Sequence, residues 1–319
     1  MPFIDLPRIK LRQYYVINAT YADDNLDMDL SKPPPPSRDS LDPTKPILLL
    51  QHAGTSCTNS FIYQFRDSRL SSALNLVAFD GRYLGRSAPA GDDARFQTLE
   101  ERADELLEAV DAIIGDRPFS YLGESFAGAH CGAYVAAKRP NQVKAMILIS
   151  PSFITDQGDM VDILTTDWLP ICDSNKGGKG DGSGRLPDEA LEVVRDYFFS
   201  GQTLHPERQQ AFLNQYQFQH GPGRSIFMLQ QLLRWFRRDA PPPEVFQAVR
   251  CPVLLLGGSR DTAVNPADAL GQWYNAFVSV EEADKRIERI VDGSHFLATM
   301  EPGRVNRLVL AFLKRYNLA

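Results

Sequence analysis

Short apolar segments alternate with helical segments along most of this 319-residue chain. The segments "PILLLQH" (46–52) and "LNLVAFD" (74–80) are almost continuously apolar, which is typical of strands buried on both faces of a parallel sheet. In the segment 99–115, apolar residues recur at spacings of three and four, which predicts a helix with one buried face that ends at Gly115. Alternation of this kind predicts a parallel sheet with helices on both sides.

The alternation stops for about a hundred residues and then resumes at "CPVLLLGG" (251–258). Helices are predicted in this interval near 187–199, 204–219 and 223–238. The glycine-rich stretch 177–184 follows no strand and lacks a GK[ST] ending, so it is interpreted as a flexible loop rather than a phosphate-binding loop. A helical block at this place would cover the carboxyl edge of the sheet, where such sheets bind ligands.

We therefore expect a core domain with a helical cap. The core is predicted to consist of residues 1–151 and 250–319, and the cap of residues 152–249. The proline-rich run at 33–36 is interpreted as part of a surface insertion between early strands, because its composition favours an exposed, extended path.

Composition narrows the classes of partner. A net charge of −6 disfavours nucleic acid, since phosphate binding requires a basic surface. The four cysteines (Cys57, Cys131, Cys172 and Cys251) are far apart and form no metal-ligand pattern, so neither a disulfide framework nor a metal site is predicted. No cofactor is implied.

The sequence also favours a cytoplasmic protein. The first ten residues lack the apolar core of a secretory signal, and no apolar run is long enough to span a membrane. We expect a monomer or a homodimer that acts on a small molecule.

The stretch "YLGESFAGAH" (121–130) places Ser125 between an apolar strand and a helix rich in small residues. A sharp strand-to-helix turn exposes a serine hydroxyl and directs free helix N–H groups at the reaction centre. Such a turn requires small residues two before and two after the serine, and Gly123 and Ala127 meet that requirement. Ser125 is therefore the candidate nucleophile. Glu124 receives no role.

A serine nucleophile needs a base and a group that orients the base. His295 lies in "DGSHF" directly after the last predicted strand, and Asp261 lies in "GGSRD" after the preceding one. Both would reach the same sheet edge as Ser125, in the order nucleophile, acid, base. Asp156 is the competing acid.

An oxyanion hole requires two backbone N–H groups. One is expected from Phe126, the residue after the nucleophile. The other is expected from the segment "HAGTS" that follows strand 46–52, with Gly54 as the preferred donor and Ala53 as the alternative.

Together these motifs resemble the serine α/β-hydrolase superfamily. The resemblance rests on "HAG" (52–54), "DGRYLGRS" (80–87), "GESFAG" (123–128), "GSRD" (258–261) and "GSHF" (293–296), and it covers the chain from about Ile47 to its end. It implies an α/β-hydrolase fold: a mostly parallel eight-stranded sheet flanked by helices, with a helical cap between strands 6 and 7. It also implies that His52 is structural. The chain departs from the family's pattern at Ala53 and Ala127, where glycine is usual.

The nucleophile type selects among activities of this superfamily. Dehalogenases and epoxide hydrolases resemble the chain in cap and topology, but they use aspartate where this chain has Ser125. The preferred hypothesis is a serine hydrolase that cleaves an ester, lactone or related acyl bond through an acyl-enzyme. The alternatives are a C–C bond hydrolase for a diketone-like acid, which would gain from a basic pocket near "RWFRR" (234–238), and a non-catalytic receptor.

The predicted cap is rich in aromatic residues, so the substrate is expected to be apolar or aromatic. Candidate substrate-binding residues are Phe153, Trp168, Tyr216 and Phe227. His205 and His220 also fall in the predicted cap. For His220, the alternatives are a contact with substrate and a solvated helix end, of which the second is preferred.

Overall fold

A mixed sheet forms the centre of the molecule. The computed structural model describes residues 3–21, 30, 33–89, 96–155, 158–168, 188–199, 205–219 and 225–319. Eight strands of this part build the sheet: β1 Phe3–Leu6, β2 Leu11–Ile17, β3 Ile47–Gln51, β4 Asn75–Phe79, β5 Phe119–Glu124, β6 Val143–Ile149, β7 Val253–Gly258 and β8 Lys285–Ile290.

The strand order is β1-β2-β4-β3-β5-β6-β7-β8, with β3 to β8 parallel and β1 and β2 antiparallel to their neighbours. A two-residue strand, Ala88–Pro89, pairs with β2. The predicted mostly parallel eight-stranded sheet is confirmed.

Twelve α-helices are found in the described residues. They are α1 Ile62–Phe65, α2 Ser68–Ala73, α3 Leu99–Ile113, α4 Ser125–Lys138, α5 Gly158–Ile163, α6 Asp188–Phe199, α7 Pro206–Gln219, α8 Ser225–Phe236, α9 Pro243–Ala248, α10 Pro266–Ala276, α11 Leu297–Met300 and α12 Pro302–Arg315. In this part of the chain, none of the helices combines the length and hydropathy that a membrane crossing requires.

The two faces of the sheet have separate apolar cores. On β5, Tyr121 belongs to the core beneath α3, α4 and α10, whereas Leu122 belongs to the core beneath α1, α2, α11 and α12. This division follows from strand geometry, since successive side chains point to opposite faces. Helices therefore cover both faces, as the alternation of strands and helices predicts.

The predicted helix at 99–115 is confirmed as α3. Thr98 and Glu101 form a reciprocal capping box at its start, which satisfies two backbone N–H groups that the helix leaves free. Gly115 follows its end with a φ of 64°, and its N–H donates to the carbonyl of Val110 at 3.0 Å. Glycine adopts this left-handed conformation without a steric penalty.

The described residues between β6 and β7 contain helices and no strand, as the sequence predicts for this interval. Here α6, α7 and α8 match the three predicted helices closely. We call α5 to α8 the inserted helices. Helix α5 with its π-helical continuation Leu164–Trp168, and α9 just before β7, were not predicted. The division into a core and a cap at 152–249 stays a prediction.

A buried polar network ties the inserted helix α8 to the sheet domain. The side chain of Gln231 on α8 accepts from the Gln97 N–H at 2.8 Å and donates to the Gln97 carbonyl at 2.7 Å. The Gln97 side chain contacts Glu105 on α3, and Glu105 accepts from Arg82 Nε at 2.9 Å. Both Arg82 and Glu105 side chains are 4% exposed. Removing one charge would leave the other buried without its partner.

Replacing Glu105 by alanine is therefore expected to lower the free energy of unfolding by about 3–5 kcal/mol, because the Arg82 guanidinium stays buried. The matched control is Asp111→Ala on the same helix, whose exposed pair with Arg139 should contribute less than about 1 kcal/mol. Urea denaturation checks both. Equal losses in the two variants would contradict this account of the network.

Candidate active site

Ser125 lies at the junction of β5 and α4, with no residue between the strand and the helix. Its φ is 59°, a left-handed conformation that is uncommon outside glycine. A strained backbone of this kind persists only where surrounding packing enforces it. The N-cap residue of helix α4, Glu124, makes no side-chain hydrogen bond to the first backbone N–H groups of the helix.

Close packing of glycines enforces this turn. A methyl group on Gly123 would lie 2.4 Å from the carbonyl oxygen of Gly128, and one on Gly128 would lie 2.8 Å from the carbonyl oxygen of Gln51. The need for a small residue at Gly123 agrees with the prediction from the sequence. The same need at Gly128 was not predicted. Ala127 is fully buried, so its methyl group is accommodated at the elbow.

The structure brings the three predicted catalytic side chains into one hydrogen-bonded chain. Ser125 Oγ lies 2.8 Å from His295 Nε2, and His295 Nδ1 lies 2.8 Å from Asp261 Oδ2. All three residues are at most 7% exposed. They follow β5, β8 and β7, which are parallel strands that end at the same sheet edge. Asp261 also accepts from the N–H of Val264 at 3.1 Å, which fixes its carboxylate.

Neighbouring carboxylates shift the pKa of His295. Burial alone would lower its pKa, but the charge and hydrogen bond of Asp261, together with Glu124, outweigh burial and raise the pKa. With Asp261 accepting from Nδ1–H, Nε2 of the neutral imidazole is the acceptor for the Ser125 hydroxyl. The arrangement can therefore take a proton from Ser125 and hold it on a stabilised imidazolium.

The two predicted oxyanion donors belong to segments that contact each other. A methyl group on Gly54 would lie 2.8 Å from the Phe126 ring, so the absence of a side chain at Gly54 allows this packing. The Phe126 N–H belongs to the first turn of α4, beside Ser125. Ala53, the alternative donor, is buried. Which N–H groups bind an oxyanion stays a prediction.

Two other buried histidines are hydrogen-bonded within the fold. His52 faces the Ala53 carbonyl at 2.7 Å through Nδ1 and accepts from the Gly81 N–H at 3.0 Å through Nε2. Burial, aided by Arg102, lowers the His52 pKa to about 3, so this ring is neutral. These contacts agree with the structural role that the resemblance implies for His52.

His130, one turn after Ser125 on α4, lies 2.7 Å from the Phe126 carbonyl through Nδ1. Its Nε2 accepts from Arg238 Nε at 3.3 Å. Burial lowers its pKa well below the usual range, and the nearby Arg238 charge acts in the same direction.

Glu124 is a feature that the sequence analysis left without a role. Its side chain is fully buried, and neither carboxyl oxygen has a hydrogen-bond partner at proper geometry. Burial raises its pKa to about 7, while the His295 charge and the Ala298 N–H act in the opposite direction. A charged residue type at the end of an apolar strand was a visible signal that buried polar chemistry exists here.

The inserted helix α6 contacts the segments that carry the acid and the base. The N–H of His295 donates to the Phe198 carbonyl at 3.3 Å, and the Phe198 ring centroid lies 5.5 Å from that of His295. Thr262 Oγ1 donates to the Tyr197 carbonyl at 2.9 Å, and Tyr197 Oη donates to the Ala263 carbonyl at 3.0 Å. Carbonyls in the last turn of a helix lack intrahelical partners. In α6, the carbonyls of Tyr197 and Phe198 accept hydrogen bonds from Thr262 and His295.

The inserted helices α7 and α8 contact the other two site segments. Gln215 on α7 donates through Nε2 to Ser56 Oγ at 3.0 Å, next to Gly54. The Phe126 ring packs against Phe236 of α8 at a centroid distance of 4.4 Å. Neither Gln215 nor these ring contacts were predicted, because they depend on how distant helices dock.

The predicted substrate-binding aromatics have separate environments. Phe153 is half-buried and packs beside Ala263, Val264 and Ala269. Tyr216 is buried and stacks near Phe212, with ring centroids 6.1 Å apart. The side chains of Trp168 and Phe227 lie outside the described residues, as do the competing acid Asp156, His220 of the predicted cap, and Cys172. Substrate binding by these aromatics stays a prediction.

A cavity of about 360 Å³ lies between the inserted helices and the segment after β7. It is lined by Ile163, Val193, Asp196, Tyr197 and Thr262. Its lining residue Thr262 directly follows Asp261 in the sequence. Neither Phe153 nor Tyr216 lines the cavity.

The arginines of "RWFRR" do not form a common basic pocket. Arg234 and Arg237 are exposed. Arg238 is half-buried and donates to the Phe153 carbonyl at 2.6 Å and to the Trp235 carbonyl at 3.1 Å. Its contacts therefore join α8 to the core. Among the residues that the structure describes, no group of three potential metal ligands is found.

Comparison with known proteins agrees with this fold. A sequence family described as the alpha/beta hydrolase fold matches residues 46–171, which include Ser125 and the strands on both sides of it. The structure has the α/β-hydrolase fold. No protein of curated function matches the chain in sequence.

Solved structures share the fold at low sequence identity. An enol-lactonase from Burkholderia xenovorans LB400 is similar with a TM-score of 0.69 and 16% identity, covering 98% of this chain and 100% of its own. A protein described as an N-acyl homoserine lactone degrading enzyme has a TM-score of 0.68 and 13% identity, covering 98% and 100%. A structure from a study of Nitrososphaera gargenis carboxylesterases has a TM-score of 0.68 and 16% identity, covering 98% of both chains. At this identity the likeness concerns the fold.

The glycine packing at the elbow yields a stability prediction. Gly123→Ala and Gly128→Ala are each expected to lower the free energy of unfolding by about 1–3 kcal/mol or more, because the added methyl groups meet backbone atoms that cannot easily shift. Ala127→Gly is the control for a change of the opposite sense in size, with an expected cost of about 1–2 kcal/mol from lower helix propensity and the loss of a buried methyl group, and no steric contact. Chemical denaturation measures all three. A tolerated methyl group at Gly123 would contradict the steric account.

Proposed function

We propose that this protein is a serine hydrolase that cleaves a carboxylic ester or lactone of a small molecule. The observation that carries the proposal is the hydrogen-bonded chain Ser125–His295–Asp261 at the carboxyl edge of the parallel strands. A serine becomes a useful nucleophile when an oriented base accepts its proton, and these contacts supply both the base and its orienting group.

In the proposed first step, Ser125 Oγ attacks the substrate carbonyl carbon and His295 Nε2 accepts the hydroxyl proton. Asp261 stabilises the imidazolium that results, since its carboxylate already contacts Nδ1. The Phe126 and Gly54 N–H groups are the proposed donors to the oxyanion. His295 then donates its proton to the leaving alcohol, and an acyl-enzyme forms.

In the second step, His295 activates a water molecule that attacks the acyl-enzyme. The same three side chains serve because the reaction repeats the first step with water in place of the serine hydroxyl. For a lactone, the leaving alcohol stays joined to the acyl group, so the product is one hydroxy acid.

The inserted helices are proposed to act as the cap that sets substrate specificity. They contribute the Phe198 and Phe236 rings, which pack against His295 and Phe126, so the surroundings of the nucleophile are mainly apolar. An apolar environment favours an apolar or aromatic acyl group. The similar structures include two lactone-cleaving enzymes and a carboxylesterase, and these activities are compatible with the proposed cleavage of an ester or lactone.

Replacing Ser125 by alanine is expected to reduce kcat/KM for a responsive ester or lactone by about 10³-fold or more, because the nucleophile is lost. A panel of p-nitrophenyl esters and lactones of increasing acyl length measures the effect. The matched control is Ser120→Ala, which removes a buried hydroxyl from β5, the strand that ends just before Ser125. Full esterase activity in Ser125→Ala would contradict the proposed mechanism.

The pH dependence follows from the raised pKa of His295. Neutral His295 is the base, so activity should fall as the pH falls through a pKa above the ordinary value of about 6.5. Asp261→Asn removes the charge that raises this pKa. In that variant the acid limb of kcat/KM should move to lower pH, while the maximum drops by about 10³–10⁴-fold. An acid limb at the same pH in both proteins would contradict the role of Asp261.

A further inference from the structure

The Glu124 carboxyl is unexplained by the mechanism above. It precedes the nucleophile directly and is fully buried, and among the described residues no hydrogen bond of proper geometry reaches either oxygen, although the Ala298 N–H acts on the carboxyl. An unpartnered buried carboxyl costs free energy, and a leucine or glutamine of similar size would cost less. Its presence therefore calls for a function.

Strand geometry places Glu124 on the face of the sheet that α11 covers. Side chains two residues apart on a strand share a face, so Glu124 lies on the same face as Leu122. Leu122 belongs to the core formed with Leu297 and Ala298 of α11, the short helix that begins two residues after His295. The Ala298 N–H is near enough to favour the charged form of the Glu124 carboxyl.

The neighbouring groups hold this segment in place. Gln64 Nε2 donates to the Ala298 carbonyl at 2.9 Å and to Asn306 Oδ1 at 3.0 Å, which ties α11 to α1 and α12. Thr299 Oγ1 donates to the Ser60 carbonyl at 3.3 Å. Neutral groups therefore fix the segment after His295, which carries the Ala298 N–H that acts on Glu124.

We propose that Glu124 is a positioning residue that acts on His295 through its charge, as a second carboxylate in addition to Asp261. When ionised, it stabilises the imidazolium that forms during the attack of Ser125. When Glu124 is protonated, Asp261 stabilises the imidazolium without a second carboxylate. This inference rests on the proposed function, because a charge on His295 matters only if His295 is the base.

The charges around this pair are few. His295 is the charged group that acts on Glu124, and Asp261 and Glu124 are those that act on His295. Burial raises the Glu124 pKa to about 7. Its ionisation therefore falls within the range in which such an enzyme works, and its effect on His295 should increase as the pH rises through 7.

The test compares wild type with Glu124→Gln, which keeps the size of the side chain and removes its charge. In ¹³C-histidine NMR titrations, the His295 resonance should titrate roughly one pH unit lower in the variant, since a nearby negative charge has been lost. In kinetics, the ratio of wild-type to variant kcat/KM should be near one at pH 5.5 and about three- to tenfold above pH 8. A merely structural role would lower activity by the same factor at every pH.

Two variants complete the design. Glu105→Gln alters a buried carboxyl on α3, on the opposite face of the sheet from α11, and should leave the His295 titration unchanged. Glu124→Asp keeps a titrating carboxyl and should restore part of the pH dependence, and it replaces Glu124→Gln if that variant does not fold. The NMR titration needs no substrate, so it separates failure of this inference from failure of the proposed hydrolase activity. An unchanged His295 pKa, or a kinetic ratio independent of pH, would overturn the role of Glu124.

Discussion

The arrangement of the site depends on the contact between Gly123 and Gly128. Because no Cβ separates them, β5 and α4 approach closely enough for the chain to turn at one residue. That residue, Ser125, has a left-handed backbone that costs of order 1–3 kcal/mol unless packing offsets it. The turn places the hydroxyl at the sheet edge, where the segments after β7 and β8 bring Asp261 and His295.

The parallel sheet accounts for the meeting of residues that are distant in sequence. Asp261 and His295 follow β7 and β8, which are neighbours in the sheet. Ser125 follows β5, which lies two positions from β7. The inserted helices complete the surroundings, since α6 accepts hydrogen bonds from the His295 and Thr262 segments. In the proposed enzyme, the helices that contact substrate would thus also hold the base in place.

Much of the fold was predictable because its signals are local. Continuous apolar runs indicated buried parallel strands, and the three-to-four spacing at 99–115 gave α3 with an end at Gly115. The hydrogen-bonded group of Ser125, Asp261 and His295 followed from chain order and from the positions of loops after strands. Short elements such as α5 and α9 were missed, since a few residues carry little periodicity.

The contacts that depend on tertiary docking could not be read from the sequence. Gly128 was overlooked because its constraint comes from the backbone of β3, at Gln51, and not from its own neighbours in the chain. Arg238 lies on one helical segment with the exposed Arg234 and Arg237, yet it is half-buried and donates to the Phe153 carbonyl. Glu124 was visible as an acidic residue beside the serine, but its isolation from partners is a property of the packed core.

The central claim is that Ser125 is a nucleophile activated by His295. Treatment with a fluorophosphonate, followed by intact-mass measurement and peptide mapping, tests it without knowledge of the natural substrate. The account predicts one adduct per chain, located on Ser125, and a much slower reaction in His295→Gln. An unlabelled Ser125 in the folded wild-type protein, or labelling at the same rate in His295→Gln, would contradict it.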